Sequence, residues 1–178
     1  MSRVFFTSDL HHAHENLCVS LRGMSAAEST ELIVKKWNSV VHKRDVVYVL
    51  GDLTMEKHSP IESLIKRLNG RIVVVGGNHD TLRCCKEYAR LGITVMGVLE
   101  YKGFICTHIP IHPNELEFCR GNIHGHIHKQ GVIEGFEYNP KQLGNDYYNV
   151  NVEFHDFTPV PFTEIEKHFK TIRNATKV

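Results

Sequence analysis

Five short polar segments in this chain each follow an apolar, strand-like run. Asp9-Leu10-His11 comes after Arg3 to Thr7, Gly51-Asp52 after Asp45 to Leu50, and Gly77-Asn78-His79-Asp80 after Arg71 to Val75. His108 follows Gly103 to Thr107, and Gly125-His126-Ile127-His128 follows Gly121 to His124. In open α/β sheets, ligands bind in the crevice outside the carboxyl ends of the strands. A chain that repeats this arrangement is constrained to a fold that gathers those ends at one place.

Together the segments offer seven oxygen or imidazole donors: Asp9, His11, Asp52, Asn78, His108, His126 and His128. Such donors suit borderline divalent metals. Seven exceed one ordinary site but suffice for two adjacent ions if a carboxylate bridges them, and Asp52 is the best placed to do so. Two ions about 3.5–4 Å apart can clamp a phosphoryl group and generate the hydroxide that attacks it. Taken singly, Asp-x-His and Gly-Asp are weak signals that occur in ordinary surface turns. The other two motifs are more specific. Paired glycines let the backbone turn sharply, so that Asn78, His79 and Asp80 crowd one spot, and imidazoles two residues apart can serve neighbouring ions.

Most of the thirteen histidines have a plainer reading. His42, His58, His155 and His168 fall at helix ends or in polar stretches, as solvated side chains do. His12, His112 and His124 flank the motifs, where supporting or rim roles are expected.

The length of 178 residues fits one domain with a proper core. A hydrophobic content of 42% with 23% charged residues describes an ordinary globular chain. The formal net charge is +1, from 21 basic and 20 acidic residues. That balance lacks the basic excess of a long duplex-binding surface. No apolar run reaches membrane-spanning length and the N-terminus lacks a secretory layout, so the expected compartment is the cytoplasm. The five cysteines (Cys18, Cys84, Cys85, Cys106, Cys119) are odd in number and unpaired in spacing, as thiols in a reducing compartment would be.

The first half alternates strand and helix. Leu32, Ile33, Trp37, Val40 and Val41 predict an amphipathic helix over roughly Ala27 to Val41. Ser59-Pro60-Ile61-Glu62 reads as a capping box opening a helix that ends at Asn69-Gly70. A further helix spans about Thr81 to Leu91. The second half reads as strands over Ile93 to Met96, Val98 to Tyr101, Gly103 to Thr107, Gly121 to His124 and Tyr147 to Glu153. Lys129 to Asp146 reads as a loop or hairpin, and Pro161 to Lys170 as a short closing helix.

The order and spelling of the five segments resemble the calcineurin-like metallophosphoesterase superfamily, from Arg3 to about Glu153. The resemblance implies a four-layer α/β/β/α sandwich with two mixed sheets. It implies a first ion at Asp9, His11, Asp52 and His128, and a second at Asp52, Asn78, His108 and His126. His79 would face the substrate as acid or charge stabiliser, steered by Asp80. The opening run through His14, Glu15 and Asn16 is similar to a compact bacterial and phage subgroup, which implies that His14 and Asn16 line the substrate pocket. Where the family often carries a polar fifth residue after Gly-Asp, this chain has Met55, which removes a supporting group but no ligand.

A nitrogen and oxygen ligand set without thiolate suits manganese, iron, zinc, nickel or cobalt better than magnesium or calcium. The family likeness favours manganese. The expected activity is hydrolysis of phosphodiesters, with small or cyclic nucleotide-like substrates. A phosphomonoesterase ranks next, and a metal-dependent nuclease or a non-catalytic scaffold of the same fold ranks behind both. All seven ligand positions and His79 are present, which weighs against the scaffold.

Overall fold

Period-two alternation decides which face of each early strand is buried. In β1 (Val4–Thr7), β2 (Val46–Leu50) and β3 (Arg71–Val75), the side chains of Phe5, Val47, Val49, Ile72 and Val74 enter one core cluster. Phe6, Leu50 and Val75 enter a second cluster on the opposite face. Both faces must therefore be covered, and the remaining elements do this. The coordinates are a computed structural model describing residues 2–54, 61–129, 132–133, 136–137 and 143–175.

Helix α1 (Glu15–Leu17) runs into a π-helical turn, Cys18–Arg22, and neither has a clear periodic signal in the sequence. Helix α2 (Ala26–Val40) begins at Ser25, whose side chain and that of Glu28 cap each other's backbone. Its Ile33 and Trp37 pack on the first sheet together with Leu64 of α3 (Ile61–Ile65) and Tyr88 of α4 (Leu82–Arg90). The Trp37 indole donates to the Asn69 carbonyl at 2.8 Å, which satisfies its one polar atom in the core. Residues Ser59 and Pro60 of the expected capping box lie outside the described residues, as do His58 and Met55.

The remaining strands are β4 (Thr94–Met96), β5 (Leu99–Tyr101), β6 (Phe104–Cys106), β7 (Asn122–His124), β8 (Val132–Ile133), β9 (Phe136–Glu137), β10 (Tyr147–Asn149) and β11 (Val160–Pro161). The first sheet has the order β11-β1-β2-β3-β4, parallel except for β11. The second has the order β10-β7-β6-β5, parallel except for β5. Both sheets are mixed, and they face each other across the second cluster. Helix α5 (Phe162–Ala175) sends Phe162, Ile165 and Phe169 into that cluster, with the Phe169 ring 4.8 Å from that of Phe104 and tilted by 45°. Two mixed sheets with helices packed on them give the calcineurin-like α/β architecture implied by the motifs.

Four sequence expectations change. Helix α3 ends at Ile65, short of Asn69-Gly70, and the chain continues in turns closed by Arg67 N to Leu64 O and Leu68 N to Ile65 O. The run from Tyr147 to Glu153 is a strand only to Asn149; the Asn151 side chain then caps a 3-10 turn over Val152–Phe154. The closing helix has 14 residues rather than the short stretch to Lys170. His155 is half-buried rather than solvated, with Nε2 bonded to the Asn149 carbonyl at 2.7 Å and its ring stacked on Tyr148. Within Lys129 to Asp146, β8 and β9 pair antiparallel as a small hairpin. No described helix is long and apolar enough to cross a membrane.

Candidate metal centre

The five polar segments converge at the carboxyl ends of β1, β2, β3, β6 and β7. The loops after β1 and β2 run side by side, joined by Asp9 N to Gly51 O at 3.0 Å, His11 N to Asp52 O at 2.9 Å and His12 N to Leu53 O at 3.1 Å. This ladder holds the two loops side by side beyond the strand ends, with one isolated parallel bridge between His12 and Thr54. Asp9, His11, Asp52 and His126 all have left-handed backbones, with φ of 57, 47, 56 and 69°. Such conformations cost roughly 1–3 kcal/mol each outside glycine and cluster at functional sites.

Two donor groups form. Asp9, His11 and His128 each present an atom within 4.8 Å of the others, and so do Asp52, His108 and His126. In the first group, His11 Nε2 lies 3.8 Å from Asp9 Oδ1, and His128 Nε2 lies 3.9 Å from the same oxygen. Asp9 Oδ1 and both ring nitrogens of His11 are buried without a hydrogen-bond partner. Buried polar atoms left this way cost about 1–3 kcal/mol each. Donors pointed at a common space without bonding one another fit a cation held at about 2.0–2.2 Å from each.

In the second group, His108 Nε2 is the hub. It lies 3.2 Å from Asp52 Oδ2, 2.8 Å from Asn78 Oδ1 and 3.2 Å from His126 Nδ1. Its Nδ1 is bonded to the Leu50 carbonyl at 2.9 Å, which fixes the ring with Nε2 turned inward. Asp52 Oδ2 also lies 3.7 Å from His11 Nε2, so one carboxylate oxygen reaches both groups. All seven predicted ligand positions therefore meet at one place, and the residues fit a pair of divalent ions.

Burial and charge shape the metal-free site. Burial raises the Asp9 carboxyl above its ordinary range, and burial pushes His11 well below. Burial also pulls His108 down, but its hydrogen bond to the Asp52 carboxylate and the charges of Asp9 and Asp52 outweigh it and raise this imidazole to about 9. Burial works against ionised Asp52, yet the bond and charge of His108 hold it at about 2.

His79 lies at the mouth, with 24% of its side chain exposed and Nε2 3.9 Å from Asp52 Oδ2. Its backbone N–H donates to Asp52 Oδ1 at 3.0 Å. Asp80 does not face the His79 ring as the sequence suggested. Its carboxylate turns back into the fold, accepting from the N–H of Asp52 at 2.8 Å, Gly77 at 2.9 Å and Leu53 at 3.3 Å, and from the Tyr88 hydroxyl at 2.7 Å. It ties the β2 and β3 loops together. The His14 ring is 5.8 Å from His11 and 6.5 Å from His79, while its Nδ1 caps α1 at Leu17 N. Asn16 stands exposed on α1.

Of the flanking histidines, His124 is buried against the Gly125 carbonyl at 2.8 Å, and His12 meets Thr30 Oγ1 at 3.1 Å. His112 is exposed and caps the 3-10 turn Pro113–Leu116. Arg22 and Glu153 were missed by sequence reasoning. Glu153 meets His128 Nδ1 at 2.8 Å and Arg22 Nε at 3.1 Å. A polar alternation through Asn149, Asn151 and Glu153 was the available signal.

The family model for calcineurin-like phosphoesterases matches residues 2–169. The chain belongs to that family. This phosphoesterase family typically uses a dinuclear metal centre, and the chain has two candidate metal-binding groups. The uncharacterized protein MJ1445 of Methanocaldococcus jannaschii is 34% identical over 173 residues, which cover 94% of this phosphoesterase and 91% of that relative. The Gene 66 protein of Mycobacterium phage D29 is 27% identical, over 90% of this chain and 93% of its own. Among solved structures, a protein of unknown function from Aquifex aeolicus, AQ665, superposes with a TM-score of 0.69 at 27% identity, covering 94% of this chain and 99% of that one. Pseudomonas putida nuclease MPE shares the fold, with a TM-score of 0.51 at 20% identity over 70% of this chain and 60% of its own.

Proposed function

We propose that this phosphoesterase hydrolyses phosphodiester bonds of small, nucleotide-like substrates, using two divalent ions, with manganese the preferred activating metal. The observation that carries the reading is the position of Asp52 Oδ2, within 3.2 Å of His108 Nε2 and 3.7 Å of His11 Nε2, which lets one carboxylate serve both donor groups.

When bound, the ions supply positive charge that polarises the phosphoryl group and activates water near neutral pH. Asp9, His11 and His128 would hold the first ion, Asn78, His108 and His126 the second, and Asp52 both. His79, at the mouth, is placed to stabilise charge on the departing oxygen or to give it a proton. His14, whose ring is 5.8 Å from His11 and 6.5 Å from His79, would contact the ester group of the substrate. Asn16, exposed two residues further on, would line the same rim.

A diester carries one negative charge at phosphorus and two bulky groups. The mouth is reached by solvent, since His79 is 24% exposed, and an open approach would accommodate both groups. A monoesterase remains the second reading, because the same cationic pocket attracts the additional negative charge of a monoester.

The test is kcat/KM for bis-aryl and mono-aryl phosphates of the same leaving group with manganese at neutral pH, beside cyclic nucleotides and single-stranded DNA. Faster diester cleavage is expected. A clear monoester preference would overturn the diesterase reading and leave the fold untouched. Rapid cleavage of DNA with little turnover of small diesters would reassign the protein as a nuclease.

A further inference from the structure

The two donor groups differ in how they are held. In the second group the ligands bond one another: His108 Nε2 is shared among Asp52, Asn78 and His126, Asn78 is exposed and His126 is half-buried. An ion entering there must replace those contacts. In the first group Asp9, His11 and His128 are all buried, and their metal-facing atoms lie too far apart to bond one another. Something else must hold them in place.

A buried ion pair lies directly behind them. Arg22 and Glu153 are 131 residues apart in sequence, and their side chains are only 1% and 7% exposed. Glu153 Oε1 is bonded to His128 Nδ1 at 2.8 Å, which turns the opposite nitrogen of that ring toward Asp9. Glu153 Oε2 accepts from Lys129 N at 3.3 Å. The Arg22 guanidinium donates to the Asp9 carbonyl at 2.7 Å, the Leu10 carbonyl at 3.1 Å and Ser29 Oγ at 3.0 Å. One planar cation thus spans the β1 loop, helix α2 and the turn that carries Glu153. Both left-handed ligands of the β1 loop, Asp9 and His11, flank Leu10 and are fixed by these bonds.

We propose that Arg22 and Glu153 are positioning residues that set the first metal group and make it the tighter of the two sites. Neither side chain faces the mouth, so neither touches substrate. Carboxylates behind ligating histidines fix the ring and raise its basicity, and their loss weakens metal binding roughly 10–100-fold. Here the carboxylate is itself locked by an arginine that also grips the backbone of the opposite ligand segment. Alignment of His128 and of Asp9 is therefore one property rather than two. The inference rests on the dinuclear reading given above.

The experiment is calorimetric titration of the metal-stripped full-length chain with manganese. Glu153→Gln is placed in two backgrounds: His126→Ala, which leaves the first group intact, and His11→Ala, which leaves the second. The expected result is a dissociation constant raised roughly 10–100-fold in the first background, with the second little changed. Arg22→Lys, which keeps the charge but not the fork, should show the same selectivity with a smaller rise, and it replaces Glu153→Gln if that variant does not fold. The melting temperature of each metal-free variant is recorded in parallel. Equal weakening in both backgrounds, or an unchanged first site, would overturn the proposal, because a merely structural pair would affect both sites together. If the parent chain binds fewer than two ions, the dinuclear reading itself fails. If it binds two and Glu153→Gln leaves the first unaffected, only the positioning role fails.

Discussion

His108 Nε2 stands 3.2 Å from Asp52 Oδ2, and in the metal-free protein this contact keeps a proton on the imidazole up to about pH 9. A cation must displace that proton. The folded value lies above the ordinary 6.5, so the contribution to stability is complete below about pH 6.5 and is lost as pH rises through about 9. Manganese affinity at the second group should accordingly rise with pH up to about 9, with proton release on binding. Calorimetry in buffers of different ionisation enthalpy measures that release, and Asp52→Asn should abolish it. Proton uptake on binding would contradict the assignment.

His79→Ala should bind both ions with parent affinity yet lose about two to four orders of magnitude in kcat on a substrate with a poor leaving group. Single-turnover kinetics with an alkyl phosphodiester checks this. A nitrophenyl ester would hide the loss, because its leaving group departs without a proton.

Tyr88→Phe removes the hydroxyl that donates to Asp80 Oδ1 at 2.7 Å in a buried setting. Hydrogen bonds to charged groups contribute about 1.5–3 kcal/mol, and urea denaturation should show a loss of that size. Asp80 keeps its three backbone donors, so the change in manganese affinity should be small. A stability unchanged within error would mean that Asp80 does not depend on Tyr88.

Gly125→Ala should disable the first metal group. A methyl at that position would come within 2.6 Å of Asp9 Oδ2 and of Ser8 Cβ. Neither neighbour can move freely, because Asp9 Oδ2 already accepts from Ser8 Oγ at 2.5 Å and from His126 N at 2.9 Å. Elemental analysis after manganese loading should find the first ion missing. Full occupancy of both sites would show that the β7 loop has more room than these distances allow.

The ligand positions were legible in the sequence because each sits within a few residues of a strand end, where local spelling and period-two burial carry the information. Arg22 and Glu153 were not, because their meeting depends on how the π-helical turn and the 3-10 turn dock across 131 positions. Val150 and Val152 mimic a strand pattern, yet the Asn151 side chain bonds Glu153 N at 3.0 Å and bends the chain into a turn. Asp80 was misjudged for a related reason. Adjacency to His79 suggested a partner, whereas the tight turn aims the two side chains apart. His155 was read as solvated from its polar neighbours, but Asn149 and Tyr148 fold over it.

The ladder between the loops after β1 and β2 also limits how this protein can be engineered. Three backbone bonds, from Asp9, His11 and His12 to Gly51, Asp52 and Leu53, hold the two segments side by side. Adding or deleting one residue in either loop would break these bonds and displace the Asp9, His11 and Asp52 donors they hold. Attempts to graft a new recognition loop into either segment should therefore fail. Library design for altered substrate scope should keep both loops at their present length and vary side chains instead.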